Sequence, residues 1–100
     1  MTSRLILHPA AAADLEEAFS WYERAREGLG DEFLTTIRLT LDAVESHPLS
    51  FPVTYRGLRR ALARRFPYAI YFRFTGEGEP ILVVGCFHCS RSPRRWQGRA

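Results

Sequence analysis

Residues 64–74 read RRFPYAIYFRF, and this stretch decides what the rest of the chain builds. Large side chains occupy alternate positions, and smaller or polar residues lie between them. The large members are Phe66, Tyr68, Ile70, Phe72 and Phe74. Strict alternation predicts a β-strand with one buried face, so we expect these side chains to form a wall of the core. The opposite face, with Tyr71 and Arg73, is then the one available to a partner or substrate.

Two amphipathic helices are predicted before this strand. The first covers residues 10–26, after a short apolar strand at residues 4–8, and it ends at the glycines of Gly28-Leu29-Gly30. The second begins at Asp31 and ends at His47, because Pro48 disfavours helical geometry in the residue before it. Joined by a short glycine turn, the two helices should form an antiparallel hairpin that packs on the aromatic wall.

The remaining segments complete a two-layer pattern. Residues 49–55 are predicted as a loop and residues 58–65 as a strand, and a glycine-rich turn follows residue 75. Residues 81–88, ILVVGCFH, form a nearly continuous apolar run that predicts a strand buried on both faces. Residues 89–100 are expected to be a mobile, arginine-rich tail. The predicted fold is a single α+β domain over residues 1–100, ordered β-α-α-β-β-β, with a helical hairpin packed on a small, mostly antiparallel sheet.

The charge is distributed unevenly along the chain. Residues 1–55 hold 4 arginines against 9 acidic residues, whereas residues 56–100 hold 10 arginines against 2 acidic residues, so the halves carry −5 and +8 and the chain +3. A basic half indicates an acidic or polyanionic partner on that side, although a solvated surface explains the same charge. The sequence contains no lysine, which excludes Schiff-base chemistry, a lysine general base and a P-loop.

Several basic residues converge if the last three strands form a meander. They are Arg59, Arg60, Arg64, Tyr71, Arg73, His88 and Arg91. In a nuclease, arginines would stabilise charge on the scissile phosphate, and His88 or Tyr71 would move protons. In a binding protein, the same arginines would dock an acidic partner. A solvated sheet face, with His88 hydrogen-bonded at a strand end, is the third interpretation.

Cys86 and Cys89 have C-x-x-C spacing at the end of the last predicted strand. A zinc site needs four ligands, and residues three apart on a strand point to opposite faces, so we expect no metal here. A redox C-x-x-C usually lies at a helix N-terminus rather than at a strand end. Both cysteines are therefore predicted to be free thiols, and no cofactor is expected. The N-terminal apolar run at residues 5–7 is too short for a signal or membrane segment, which makes the cytoplasm the expected location.

The whole chain resembles the RelE/ParE toxin superfamily, and within it the ParE-like, plasmid-stabilisation branch. The resemblance begins with HPAAAADLEEAFSWYE, continues through GLGDEFL and HPLSFPVTYRGLRRALARRFPYAIYF, and ends with VVGCFHCSRSPRRW. Its most specific parts are residues 55–71 and the final pattern of His88, Arg91, Pro93 and Trp96.

The resemblance implies a bacterial toxin that a neighbouring antitoxin holds inactive, in a toxin–antitoxin hetero-oligomer. ParE-like members act on DNA gyrase, whereas RelE-like members cut mRNA on the ribosome with a basic set that usually includes lysine. The leading expectation is a gyrase inhibitor that arrests growth. Its residues for target or antitoxin binding would be the seven named above together with Arg94, Arg95 and Trp96. A nuclease would use Arg60, Arg64, Tyr71, His88 and Arg91. A non-toxic binding module is the further alternative.

Overall fold

A five-stranded sheet organises the computed structural model, which describes residues 4–100. Its order is β1-β5-β4-β3-β2, with β1 parallel to β5 and the other neighbours antiparallel. The elements in chain order are β1 (Leu5–Leu7), α1 (Pro9–Ala25), α2 (Leu29–Ser46), a 3-10 turn (Pro48–Ser50), β2 (Val53–Tyr55), β3 (Leu58–Leu62), β4 (Tyr68–Arg73), β5 (Ile81–His88) and α3 (Pro93–Gln97). The α+β fold with a helical hairpin on a mostly antiparallel sheet is therefore confirmed.

Local caps define the helical hairpin. His8 precedes α1 and its Nδ1 accepts a hydrogen bond from the backbone N–H of Ala10 at 3.0 Å. Gly28, with φ of 85°, takes the left-handed conformation that lets the chain reverse after α1. The Glu23 carboxylate accepts from the N–H groups of Gly28 and Gly30, at 3.0 and 2.9 Å, and so caps the next helix. These bonds start α2 at Leu29, two residues before the predicted Asp31.

The core lies between the helical hairpin and one face of the sheet. Ile70 and Phe72 of β4 are 1% and 0% exposed and pack with the buried side chains of Ile37 and Val44 from α2. This confirms the predicted alternation over residues 68–73, whereas residues 64–67 form the turn before β4. None of the helices in the described part of the chain is long and apolar enough to cross a membrane.

A bulge in β5 changes which face its side chains occupy. Tyr71 pairs with Gly85 and Phe72 pairs with Val83, so Val84 is an extra residue on β5. One extra residue shifts the alternation of a strand, and Cys86 consequently returns to the helix-facing side while Val84 packs on the other face. Both faces of β5 are buried as predicted.

The prediction of residues 49–55 as a loop is wrong in its second half. Val53–Tyr55 forms an edge strand that pairs with β3. The two-residue turn at Arg56 and Gly57 has φ values of 46° and 81°, which are the positive values of a tight hairpin turn. β3 ends at Leu62, earlier than the predicted residue 65, so Arg64 lies in the turn that leads to β4.

The C-terminal segment forms α3 and covers the second face of the sheet. The Tyr71 side chain is only 3% exposed, and the Trp96 ring stacks on it with centroids 4.6 Å apart and an interplanar angle of 9°. Leu58, Ala69 and Val84 complete this outer cluster. Two expectations are therefore wrong: Tyr71 is not available on an open sheet face, and Trp96 does not lie in a mobile tail.

Candidate functional site

The predicted arginine set is divided among separate parts of the surface. Arg60 pairs with Tyr71 across β3 and β4, and both belong to the outer face with Arg73. The Arg73 guanidinium donates to the carbonyl of Arg56 at 2.9 Å, so it supports the β2–β3 turn. The outer face thus keeps Arg60 and Arg73 close to the predicted Tyr71, while Tyr71 itself is buried.

The remaining predicted arginines lie elsewhere. Arg59 donates to the carbonyl of Phe51 at 2.7 Å, which holds the segment before β2 against the sheet. Arg64 is exposed in the β3–β4 turn, and Arg94 is exposed on α3. The meander therefore does not gather the seven residues into one cluster.

A cleft of about 500 Å³ lies between α1, the end of β5 and the C-terminal segment. It brings together His88, Arg91 and Arg95 from the predicted set. From α1 it adds the side chains of Asp14, Glu17, Trp21 and Arg24. The cleft is the strongest candidate functional site, because it combines cations, carboxylates, a histidine and an exposed tryptophan.

Arg99 closes the inner end of the cleft. Its guanidinium donates to both carboxylate oxygens of Asp14, at 2.9 and 3.1 Å, and to the carbonyl of Val84 at 2.7 Å. The same Asp14 carboxylate accepts from the Cys86 N–H at 3.0 Å. A side chain at Gly85 would approach the Arg99 Nη1 atom to 3.1 Å and the Phe87 ring to 2.6 Å, so the packing here requires glycine.

The other ion pairs of residues 4–100 join more exposed side chains. Arg91 and Glu17 are 3.7 Å apart on exposed side chains, and the Glu32 carboxylate pairs with Arg65 and Arg26. Hydrogen bonds from Arg65 and then Arg26 lower the pKa of Glu32. Arg24 and Arg95 take part in none of the ion pairs found in this described part of the chain. The cleft therefore carries unpaired positive charge.

The two candidate proton carriers lie on different faces of the sheet. Burial raises the pKa of the Tyr71 phenol, and the neighbouring Arg60 offsets this only in part. His88 lies on the helix-facing side, where its ring contacts the Tyr68 ring with centroids 5.2 Å apart. His88 Nδ1 accepts from the Ser90 N–H at 3.0 Å, which leaves Nε2 as the nitrogen that carries the proton in the neutral ring. Only His88 is placed to exchange protons with a bound molecule.

The cysteines differ in environment. Cys86 is buried, and burial raises the pKa of its thiol to about 12, whereas Cys89 is exposed beyond the end of β5. Among residues 4–100, histidine, cysteine and acidic side chains form no group of three or more that could hold a metal ion.

We expect a thiol-alkylating reagent at neutral pH to label Cys89 in the folded protein and to leave Cys86 unmodified. The thiolate is the reactive form, and Cys86 is both inaccessible and protonated. Mass spectrometry of the intact protein should show one adduct, which Cys89→Ser removes, and a second adduct after denaturation. Two adducts at the same rate in the folded protein, or stoichiometric zinc in the purified protein, would contradict this.

Comparisons with known proteins agree with one another. The sequence model described as the ParE toxin of the parDE type II toxin–antitoxin system matches residues 5–93. Toxin ParE2 of Mycobacterium tuberculosis is 34% identical over 88 residues, which cover 84% of this chain and 81% of that protein. A structure of the chromosomal ParDE toxin–antitoxin system from P. aeruginosa aligns with a TM-score of 0.75 at 19% identity, over 87% of this chain and 96% of the other. The RelBE2 toxin–antitoxin complex from Mycobacterium tuberculosis aligns with a TM-score of 0.61 at 15% identity, over 88% and 99%.

Proposed function

This chain belongs to the ParE toxin family of type II toxin–antitoxin systems, and on that premise we propose that it inhibits DNA gyrase and is neutralised by a cognate antitoxin. It acts in the bacterial cytoplasm and without a cofactor. In the neutralised state it forms a hetero-oligomer with its antitoxin. Free of the antitoxin, it arrests growth.

The position of Tyr71 supports inhibition by binding rather than cleavage. A general base or acid must come within hydrogen-bond reach of the reacting group. The Tyr71 ring lies under Trp96, the residue is 3% exposed, and burial raises the pKa of its phenol still further above neutral pH. The outer-face arginines Arg60 and Arg73 therefore have no accessible proton carrier beside them, which suits a surface that grips a protein target.

An mRNA endonuclease is the competing function, and it would have to use the cleft. His88 lies there with Arg91 and Arg95, which is the combination that phosphodiester cleavage needs. Arg91 faces the Glu17 carboxylate at 3.7 Å, which reduces the positive charge that it offers a scissile phosphate beside His88 and argues against cleavage here. The two functions predict opposite behaviour for a His88 variant.

We expect His88→Ala to retain growth arrest when the protein is expressed without an antitoxin, and Arg60→Glu to restore colony formation. DNA-damage signalling should rise in cells that express the unmodified protein, as it does when gyrase is poisoned, and mRNA should stay intact. Sequencing of mRNA 5′ ends after a short induction, together with a reporter of DNA damage, measures both. Arg38→Glu is the matched control, because Arg38 is an exposed arginine on α2, away from both candidate surfaces.

Codon-phased mRNA cuts that disappear in His88→Ala would overturn the gyrase proposal. Arg60 is half-buried beside Tyr71, so thermal unfolding must show that Arg60→Glu is folded. Truncation before Arg91 is a poor test. It would remove Trp96 and Arg99 and expose the outer cluster, so lost toxicity would report lost folding.

A further inference from the structure

We propose that the cleft between α1 and the C-terminal segment binds a short acidic segment of the antitoxin, with an apolar side chain of that segment packed on Trp21. This inference rests on the proposed function, since it names where and through which chemistry the antitoxin is held. It places the antitoxin contact at this cleft rather than on the sheet face that carries Arg60 and Arg73.

The charge of the cleft favours an acidic partner. Four arginines line the cleft with two carboxylates, and the Asp14–Arg99 pair neutralises one of each. Arg91 faces the exposed Glu17 at 3.7 Å, a loose contact that an incoming carboxylate can replace. Arg24 and Arg95 have no ion-pair partner among residues 4–100. The uncompensated charge therefore lies on two guanidinium groups that come from different elements and line the same space.

An exposed apolar side chain, that of Trp21, also lines the cleft. Trp21 is 58% exposed on α1, although tryptophan is a large apolar side chain that proteins usually cover. Its ring meets the Tyr22 ring edge to face, with centroids 5.1 Å apart. An exposed tryptophan next to arginines without ion-pair partners in the described residues is the composition of a protein-binding hot spot.

The volume and the charge of the cleft also fit a peptide. A volume of about 500 Å³ accommodates a few side chains of a peptide and is too small for a nucleic-acid duplex. Arg24 and Arg95 present two guanidinium groups without ion-pair partners in the described residues, which a peptide with one or two carboxylates matches. A protein segment with acidic and apolar side chains fits these features together.

The test uses the full chain and, as the probe, the purified protein encoded by the reading frame beside its gene. We expect Arg24→Glu/Arg95→Glu to weaken probe binding by about tenfold or more in calorimetry, because both cations of the cleft become repulsive. Binding by the unmodified chain should weaken as NaCl rises from ~50 to ~300 mM, and the variant should lose most of this salt dependence. Arg38→Glu makes the same charge change on an exposed helical position outside the cleft and should bind like the unmodified chain.

A second measurement on the unmodified chain keeps the proposal testable if the double variant does not fold. Amide chemical shifts should change on adding the probe along residues 14–24 and 88–99. Changes confined to β2 and β3, or a double variant that folds and binds like Arg38→Glu, would overturn the cleft assignment and leave the proposed function intact. A short single-stranded RNA that displaces the probe would assign the cleft to nucleic acid instead. A probe that binds no form of the chain would overturn the antitoxin proposal itself.

Discussion

Replacing Phe72 with alanine should lower the free energy of unfolding by about 3–5 kcal/mol, the usual cost of truncating a buried aromatic side chain. Phe72 is 0% exposed, and its ring meets the Phe51 ring edge to face with centroids 5.8 Å apart. A domain of this size has a total stability of about 5–15 kcal/mol, so this loss would bring the folded state close to unfolding. Chemical denaturation of the purified protein measures the difference.

Leu62→Ala is the matched control for Phe72→Ala. Leu62 is a large apolar residue on the adjacent strand, but 60% of it is exposed, so its truncation removes little buried surface. Its effect should stay within about 0.5 kcal/mol. A loss below about 1 kcal/mol for Phe72→Ala would show that this face of β4 is not the core. Equal losses for the two variants would lead to the same conclusion.

Periodicity was enough to predict the core of this protein. Alternation in residues 64–74 identified Ile70 and Phe72, and the helical spacing identified Ile37, which packs with them. The Phe19 ring lies against Gly30, where a built Cβ atom would approach it to 2.8 Å. That close approach brings α1 and α2 together. It depends on a glycine, which carries no periodic signal.

The sequence predicted in part that the outer face of the sheet is covered. The apolar run at residues 81–88 predicted a strand buried on both faces, which requires something to cover the outer side. The polar composition of residues 89–100 did not indicate that this segment covers the outer face. The reason is that α3 is only five residues long and contributes chiefly Trp96 to the cover. The edge strand β2 was hidden by Pro52, and its turn uses Arg56 where asparagine or aspartate is more usual before glycine.

The candidate cleft was beyond sequence reasoning for a different reason. The sequence predicted an amphipathic helix over residues 10–26 and a tail over residues 89–100, and it assigned no role to Asp14 or Arg99. Their contact joins residues 85 positions apart and depends on where β1 ends relative to β5. Beyond Leu7 no strand pairs with this edge of β5 in the described residues, so the Cys86 N–H and Val84 carbonyl need side-chain partners. That these two backbone groups lack a strand partner follows only from the pairing of β1 with β5, which the sequence does not give.

Asp14→Ala should lower the free energy of unfolding by about 2–3 kcal/mol, which is the scale of hydrogen bonds to a charged group. The Asp14 and Arg99 side chains are 16% and 28% exposed, so the pair lies between exposed pairs, worth about 0–1 kcal/mol, and fully buried pairs, whose disruption costs about 3–5 kcal/mol. The substitution leaves both the Arg99 guanidinium and the Cys86 N–H without their acceptor. Asp14→Asn should cost less, because an amide oxygen can still accept from Cys86.

A double-mutant cycle with Arg99→Ala separates the pair from the rest of the contacts. We expect a coupling energy of about 1–2 kcal/mol between Asp14 and Arg99, because each loses its main partner when the other is removed. Glu17→Ala is the control on the same helix: its partner Arg91 is 3.7 Å away and both side chains are exposed, so stability should change by less than about 0.5 kcal/mol. Hydrogen exchange at the Cys86 amide should accelerate in Asp14→Ala and not in Glu17→Ala. Additive effects of Asp14→Ala and Arg99→Ala would mean that the pair does not tie the C-terminal segment to α1.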